Sequence, residues 1–233
     1  MKLRPKMTRR DFMAAAGGSI VSIGLPGMFV KVLNTENQAL AAGLRPDGRV
    51  RIPPGQHAVK KLPNMGGVQA EGKVSGWRLE INGEVENPLT LNFSDLMGLN
   101  QITQVCDVHC VTRWTLLDSR WHGISMKTIM ALVRVKKGAG FVIFEAPGGY
   151  TSSIPLHEAR KNNVLLAHGF SDQPLPRAHG APLRALIPDL YFYKSVKWLQ
   201  RIKFAIVDEP GYYESHGYSN SADPWKEERF DEH

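Results

Sequence analysis

The sequence predicts an α+β fold, a single mixed and strand-rich domain. Segments that alternate with period two outnumber segments with helical spacing, and the predicted helices are short. Strands and helices also lack the regular βαβ alternation of a doubly wound sheet. No internal repeat or low-complexity block divides the chain. We therefore expect one folded domain at residues 74–210.

Residues 1–41 are predicted to be a twin-arginine export signal. The motif Thr8–Met13 contains two consecutive arginines, and a small and apolar segment follows at 14–32. Several glycines weaken that segment as a membrane-spanning helix, and no later stretch is long and apolar enough to cross a bilayer. We expect a periplasmic mature protein that does not span the membrane, with an uncleaved membrane anchor as the alternative.

Charge and motif content exclude several classes of function. The chain carries a formal +7, but six basic and two acidic residues fall within 1–41, which leaves +3 for the remainder. The basic residues form no runs with aromatics, so we expect no nucleic-acid partner and favour a small anionic substrate or cofactor. Glycine-rich nucleotide loops, a Cys-x-x-Cys-His haem motif and a Gly-x-Ser-x-Gly elbow are all absent from the sequence.

The first elements follow a segment without periodicity. Segment 42–73 is rich in Gly and Pro, which predicts an extended arm wrapping the domain. Trp77–Asn82 alternates as a half-buried strand does, and Leu89–Leu91 is predicted to pair with it. Ser94 is predicted to cap a short helix that ends near Gly98.

A further predicted strand, Gln101–His109, leads directly into Cys110. Trp121–Gly123 is predicted to be a turn, and Ser125 is predicted to cap a helix that ends at Val133. Residues 211–233 are interpreted as a C-terminal tail. The other predicted elements are a helical turn at His157–Asn162 and strands at Phe141–Phe144, Tyr150–Ile154, Val164–Ala167, Leu183–Ile187 and Val196–Val207.

The two cysteines, Cys106 and Cys110, allow several interpretations. They could form a disulfide, remain buried thiols, or bind zinc together with His109 and His122. Residues four apart on a strand are about 13 Å apart, which is too far for a disulfide without a sharp turn. The zinc spacing matches no standard pattern. A ligand role for Cys110 stays open beside these alternatives.

Five clusters resemble, in order and spacing, the molybdopterin-binding domain of the sulfite oxidase superfamily. The resemblance runs from about residue 77 to residue 207, and the ending resembles that of the small bacterial sulfite-oxidase-like branch. The clusters are His109–Trp114, Trp121–Gly123, Gly149–Leu156, His179–Arg184 and Ser195–Leu199.

The resemblance implies a role for each matching residue. Cys110 corresponds to the thiolate ligand of molybdenum, and Tyr150 corresponds to the catalytic tyrosine beside the metal. The phosphate and pterin contacts of the molybdenum–molybdopterin cofactor correspond to His179, Arg184, Ser195, Val196 and Lys197.

These residue types suit the implied chemistry. Arg184 offers a planar fork for phosphate oxygens, Lys197 a point charge, and the turn around Ser195 free backbone N–H donors. Taken singly, the two cations could equally be solvated surface charges. The phenol of Tyr150 could donate a hydrogen bond to a substrate oxygen, or it could be a core tyrosine at the start of a strand.

The resemblance implies an exported molybdenum-cofactor oxidoreductase that catalyses two-electron oxygen-atom transfer on a small substrate. The sequence contains no motif for a second redox centre, so we expect electrons to pass to or from a separate cytochrome or membrane haem protein. Two alternatives remain. One is a zinc-dependent hydrolase that uses Cys110 and histidines, and the other is a cofactor-free periplasmic binding or assembly protein.

Overall fold

The computed structural model describes residues 43–66 and 76–231. The predicted signal and part of the predicted arm, residues 42 and 67–73, lie outside the described residues. The chain divides into two units, residues 1–51 and 52–233. In the first unit, Leu44 and Val50 form an isolated antiparallel bridge.

The second unit contains eleven strands and three short helices among its described residues, so the predicted strand-rich α+β fold is confirmed. The helices are α1 (Phe93–Met97), α2 (Met126–Val133) and α3 (Leu156–Ala159). The strands are β1 (His57–Val59), β2 (Arg78–Gly83), β3 (Leu89–Asn92), β4 (Ile102–His109), β5 (Trp114–Ser125), β6 (Phe141–Glu145), β7 (Thr151–Pro155), β8 (Leu165–Phe170), β9 (Gln173–Pro174), β10 (Arg184–Leu186) and β11 (Arg201–Ala205).

Five strands form one sheet in the order β3-β2-β11-β6-β7. The β2–β11 pair is parallel and the other pairs are antiparallel. On β2, Leu79 and Ile81 are buried while Arg78 and Glu80 are exposed, as the predicted period-two alternation requires. This sheet therefore has one face on the hydrophobic core.

The other six strands form a second sheet with the path β1-β5-β8-β10, in which β4 pairs with β5 and β9 with β8. β1 comes from the predicted arm and runs parallel to β5. Helix α2 follows β5 and has one face in the hydrophobic core, because Met126, Ile129, Met130 and Val133 are buried at helical spacing. Ser125 caps α2 as predicted, since its hydroxyl accepts from the Lys127 N–H.

Two local predictions are wrong. Trp121–Gly123 is not a turn but lies inside β5, where the pairing with β8 shifts register between His122 and Gly123. A Cβ at Gly123 would overlap the carbonyl oxygen of Leu166, so this glycine permits close strand approach rather than a reversal. Helix α1 is capped by Asn92, which forms a capping box with Asp95, and not by Ser94.

The last predicted strand is shorter than Val196–Val207, because only Arg201–Ala205 is a strand. The preceding residues form an irregular loop in which Trp198 has a positive φ of 56°. Its indole N–H donates to the Arg177 carbonyl at 2.9 Å, while the loop backbone also bonds strand residues, since the Ala185 N–H of β10 donates to the Val196 carbonyl at 2.9 Å.

Within residues 43–66 and 76–231, no helix has the length and apolar character needed to span a bilayer.

Candidate functional site

A cavity of about 340 Å³ lies among strand ends and loops of the second unit. Its walls bring together six of the seven residues that the sequence assigned to the site. Val196 does not line the cavity, because its side chain is fully buried in the core. The six residues are Cys110, Tyr150, His179, Arg184, Ser195 and Lys197.

Cys110 lies at the tip of the β4–β5 hairpin. Its N–H donates to the Trp114 carbonyl at 2.8 Å, and its carbonyl accepts from the Arg113 N–H at 3.0 Å. The Thr112 hydroxyl donates to the Cys110 sulfur at 3.1 Å. Burial raises the pKa of the thiol, while the Thr112 hydrogen bonds and the charge of Arg229 oppose that rise. A thiolate here is therefore favoured mainly when a cation or metal binds it.

The structure removes two alternative interpretations of the cysteines. Cys106 and Cys110 are both free thiols, so the disulfide hypothesis is wrong. The proposed zinc ligands are not assembled either: His122 bonds Thr103 and Asp172, well away from the hairpin tip. Within the described part of the chain, no three His, Cys, Asp or Glu side chains form a metal-binding group.

Arg184 is a buried cation at the start of β10. Only 1% of its surface is exposed, and its guanidinium donates to the carbonyls of His179, Ala185 and Ser195. Its carbon lies 4.2 Å from the ring centroid of Phe192. Burial lowers the pKa of Arg184 to about 9, so the side chain remains charged at neutral pH.

No Asp or Glu side chain of the described residues pairs with Arg184. Its three hydrogen bonds go to neutral carbonyls, which leave the positive charge uncompensated. A guanidinium has five N–H donors in a planar fork, so two remain for a ligand. A buried charge is costly unless it is paired. The site therefore fits an anionic ligand such as a phosphate.

Two further titratable groups share the cavity wall with Arg184. The Lys197 ammonium donates to the carbonyls of Met65 at 2.6 Å and Ala178 at 2.9 Å. Burial and the charge of Arg184 lower the pKa of Lys197 to about 8. Burial, Arg184 and Lys197 lower the pKa of His179. Arg184 thus disfavours protonation of Lys197 and His179, and a bound anion would relieve that repulsion.

Gly180 allows these groups to come together. It follows the 3₁₀ turn Arg177–His179 with a φ of 114°, which disfavours other residues. A Cβ at this position would lie 3.0 Å from the Lys197 Cα and 3.1 Å from the Arg184 Cβ. The backbone at Gly180 therefore packs directly against both cationic residues.

The expected free backbone donors near Ser195 are absent at two positions. The Ser195 N–H donates to the Phe192 carbonyl at 3.1 Å, and the Val196 N–H donates to the Lys194 carbonyl at 3.2 Å. The Ser195 hydroxyl accepts from the Ile187 N–H at 2.9 Å. The prediction of free donors is wrong for these two amides, because the 3₁₀ turn before them uses both.

Tyr150 lies directly before β7, beside the cavity. Its hydroxyl donates to the Tyr193 carbonyl at 2.8 Å. Burial raises the pKa of Tyr150 strongly, and the nearby Tyr213 and Glu214 add to the rise. The phenol therefore stays protonated and can act as a hydrogen-bond donor, but not as a base at neutral pH.

The cavity also has walls that sequence reasoning missed. Tyr213 and Tyr218 come from the predicted tail, while Met65 and Gly66 come from the predicted arm. The rings of Tyr213 and Tyr218 have centroids 4.9 Å apart. No sequence spacing links the arm or the tail to Cys110. Only the aromatic residues of the tail could have indicated that it contributes to a binding cavity.

Comparison with known proteins assigns the chain to a family. Residues 65–213 match the model described as the oxidoreductase molybdopterin binding domain. The chain belongs to this family. It is 37% identical over 182 residues to an uncharacterized oxidoreductase, YuiH, of Bacillus subtilis. The matched region covers 77% of this chain and 92% of that protein. The protein is therefore a molybdopterin-binding oxidoreductase, as the resemblance implied.

Two other similar proteins share less with this oxidoreductase. The methionine-sulfoxide reductase catalytic subunit MsrP of Xanthomonas campestris is 28% identical over 148 residues, covering 57% of this chain and 46% of that protein. The crystal structure of the sulfane dehydrogenase SoxCD of Paracoccus pantotrophus has a TM-score of 0.54 at 23% identity. That match covers 59% of this chain and 40% of the other, and it shows the fold.

Proposed function

We propose that the cavity holds a molybdenum–molybdopterin cofactor, with Cys110 as the thiolate ligand of the metal. The observation that carries the proposal is the meeting of a buried thiol and an uncompensated buried guanidinium, that of Arg184, on the walls of one cavity. A thiolate is a soft ligand suited to a metal that already has sulfur ligands. The thiol therefore suits the metal of the cofactor, and the guanidinium suits its phosphate.

When bound, the cofactor supplies two-electron oxygen-atom transfer, and the protein supplies binding and orientation. Arg184 would hold the phosphate with its two remaining N–H groups, Lys197 would add a point charge, and His179 would add a ring donor. The 3₁₀ turn at Phe192–Lys194 and the loop of Ser195 and Val196 fix these cations in place.

Tyr150 would orient the substrate. Its phenol is kept protonated by burial and is held at the cavity wall by its bond to Tyr193. The phenol has a single O–H, which donates to the Tyr193 carbonyl, so it would turn away from that carbonyl to donate to an oxygen of a small substrate. Sulfoxide reduction, the activity named for one relative, is a reaction of this class.

Export and electron exchange complete the proposal. The twin arginines Arg9 and Arg10 would direct the protein to the periplasm, where a separate cytochrome or membrane haem protein exchanges electrons with it. The relative MsrP is named as a catalytic subunit, which supports work alongside another subunit.

Molybdenum content tests the ligand assignment. Cys110→Ser should remove activity and most of the metal, because a hydroxyl is a poor ligand for this site, whereas Cys106→Ser should retain both. The measurement is molybdenum and pterin per chain in protein made by a host that synthesises the cofactor, with circular dichroism to confirm folding. Full molybdenum in folded Cys110→Ser would overturn the proposal, as would zinc or no stoichiometric metal in the wild type.

Fractionation tests export. Replacing both Arg9 and Arg10 with lysine should leave the protein in the cytoplasm, because the export machinery reads the arginine pair. Arg4→Lys, outside the motif, is the matched control and should be exported normally. Undiminished periplasmic protein in the double variant would show that residues 1–41 are not a twin-arginine signal.

A further inference from the structure

Arg229 lies behind the Cys110 loop. It belongs to the C-terminal tail, 118 residues from the carbonyl that it contacts, and only 7% of its surface is exposed. One guanidinium nitrogen, Nη1, donates to the carbonyl of Val111, the residue that follows Cys110. The guanidinium carbon also lies 5.0 Å from the ring centroid of Tyr191. The tail therefore reaches the backbone of the hairpin tip directly.

The charge of Arg229 is weakly compensated. Its one ion pair among the described residues is with Glu227, at 3.6 Å, and the Glu227 side chain is 47% exposed. Its Nε and Nη2 atoms are buried and have no hydrogen-bond acceptor in the described part of the chain. Solvent screens part of the charge of this half-exposed carboxylate, so Glu227 offsets the Arg229 charge only in part and a net positive charge acts on the surroundings.

The tail holds this charge at a fixed position. The Ser219 N–H donates to the Arg229 carbonyl at 3.2 Å, and the Asp231 N–H donates to the Gly217 carbonyl at 3.1 Å. Tyr218 and Phe230 form an isolated antiparallel bridge across the same segment. Arg229 is not part of the cavity wall, so it acts through the Cys110 loop rather than on a substrate.

We propose that Arg229 is a positioning residue of the metal site: it holds the Cys110 loop through Val111 and places a fixed positive charge behind the metal ligand. The inference rests on the proposed function of Cys110. A nearby cation stabilises the more negative, reduced state of a metal centre. Arg229 thus raises the reduction potential of the metal that Cys110 holds.

The experiment measures the molybdenum reduction potential by redox titration followed with electron paramagnetic resonance, on cofactor-loaded protein. Arg229→Met should shift the oxidised-to-reduced ratio at fixed potential at least tenfold toward the oxidised state, which is about 59 mV for one electron. Arg229→Lys keeps the charge and should recover more than half of that shift. A merely structural role would destabilise both variants and leave both potentials unchanged, which would overturn the inference.

Glu227→Gln gives an independent test that does not endanger the fold, because Glu227 is half exposed. Removing the carboxylate that pairs with Arg229 should move the potential in the opposite direction, toward the reduced state. Glu86→Gln removes a similarly exposed carboxylate, paired with Arg134, and should leave the potential unchanged. If Arg229→Met cannot retain the cofactor, the variants Glu227→Gln and Glu86→Gln test the inference instead. Equal potentials for these two variants and the wild type would reject it.

The outcomes separate this inference from the proposed function. Wild-type protein without molybdenum, or folded Cys110→Ser that retains it, refutes the metal assignment itself. Molybdenum that depends on Cys110, with a potential insensitive to Arg229 and Glu227, refutes only the role of Arg229.

Discussion

At the scale of single residues, the charge on Lys197 changes within an accessible pH range, because burial beside Arg184 lowers its pKa to about 8. In an unfolded chain the same amine titrates near 10.4. Between these values the unfolded state holds the proton and the cofactor-free folded state does not. Stability of the cofactor-free protein therefore rises with pH across that window, since the unfolded state binds more protons.

The same titration predicts how anions bind. Inorganic phosphate should bind cofactor-free wild-type protein best below pH 8; its affinity should fall by up to about tenfold per pH unit from pH 8 to pH 9, as Lys197 loses its proton, and more steeply above pH 9, where Arg184 also titrates. Isothermal titration calorimetry from pH 7 to pH 10 measures the profile. Lys197→Met should bind more weakly at pH 7 and show a flatter profile. Parallel profiles for the two proteins would show that Lys197 does not contact the anion.

At the scale of elements, Gly180 lets the segment after the 3₁₀ turn Arg177–His179 pack against the loop that contains Lys197. Gly180→Ala should destabilise the protein by roughly 1 to 3 kcal/mol, because the position has positive φ and the new methyl group would press on Lys197 and Arg184. Cofactor content should fall as well, since both cations would be displaced. Thermal unfolding and molybdenum per chain measure the two effects.

Gly217→Ala is the matched control. Gly217 also has a positive φ, of 86°, but a Cβ there would meet no atom within 4 Å. It should share the backbone strain and keep the cofactor. Equal cofactor loss in both variants would show that strain, and not the contact with the cationic residues, explains the result.

Periodicity predicted the elements that have one buried face. β2 alternates and α2 buries its apolar positions at helical spacing. The pattern of apolar residues along each of these segments is therefore enough to predict which side chains are buried. Prediction failed where a distant contact decides the conformation. Gly123 looks like a turn residue but permits close approach of β8, and Trp198 interrupts the predicted strand with a positive φ and an indole bonded to the Arg177 carbonyl.

The residues of the candidate site also fall into those that the sequence could predict and those that it could not. The motif residues Cys110, Tyr150, Arg184 and Lys197 could be assigned from sequence, because each belongs to a segment with a family pattern, and the structure brings them to one cavity. Their roles remain predictions. The contributions of the arm and tail could not be predicted, since Arg229 reaches Val111 across the whole domain and no sequence spacing encodes that contact.

At the scale of the whole molecule, a buried ion pair joins the tail to the domain. Lys194 and Glu214 lie 2.6 Å apart, with side chains 0% and 1% exposed. Ser152 also donates to Glu214 at 2.7 Å. Breaking such a pair leaves an uncompensated buried charge, which costs about 3 to 5 kcal/mol. Loss of one partner should therefore destabilise the contact between the tail and the domain.

Glu214→Gln should lower the melting temperature by roughly 6 to 20 °C, at about 2 to 4 °C per kcal/mol for a chain of this size. Adding Lys194→Met should restore part of the loss, because no buried charge then remains unpaired. Glu86→Gln, whose side chain is 57% exposed, should change stability by about 0 to 1 kcal/mol. A double variant less stable than Glu214→Gln alone would contradict the ion-pair explanation.

The order in which the walls of the cavity emerge during protein synthesis has a consequence for loading. Pro63 and Met65 leave the ribosome first, then Cys110, Tyr150 and Arg184, and Tyr213 and Tyr218 follow only after every other wall residue has been made. Arg229, which ties down the Cys110 loop, emerges later still. A nascent chain therefore cannot enclose the cofactor until Tyr213 and Tyr218 have emerged.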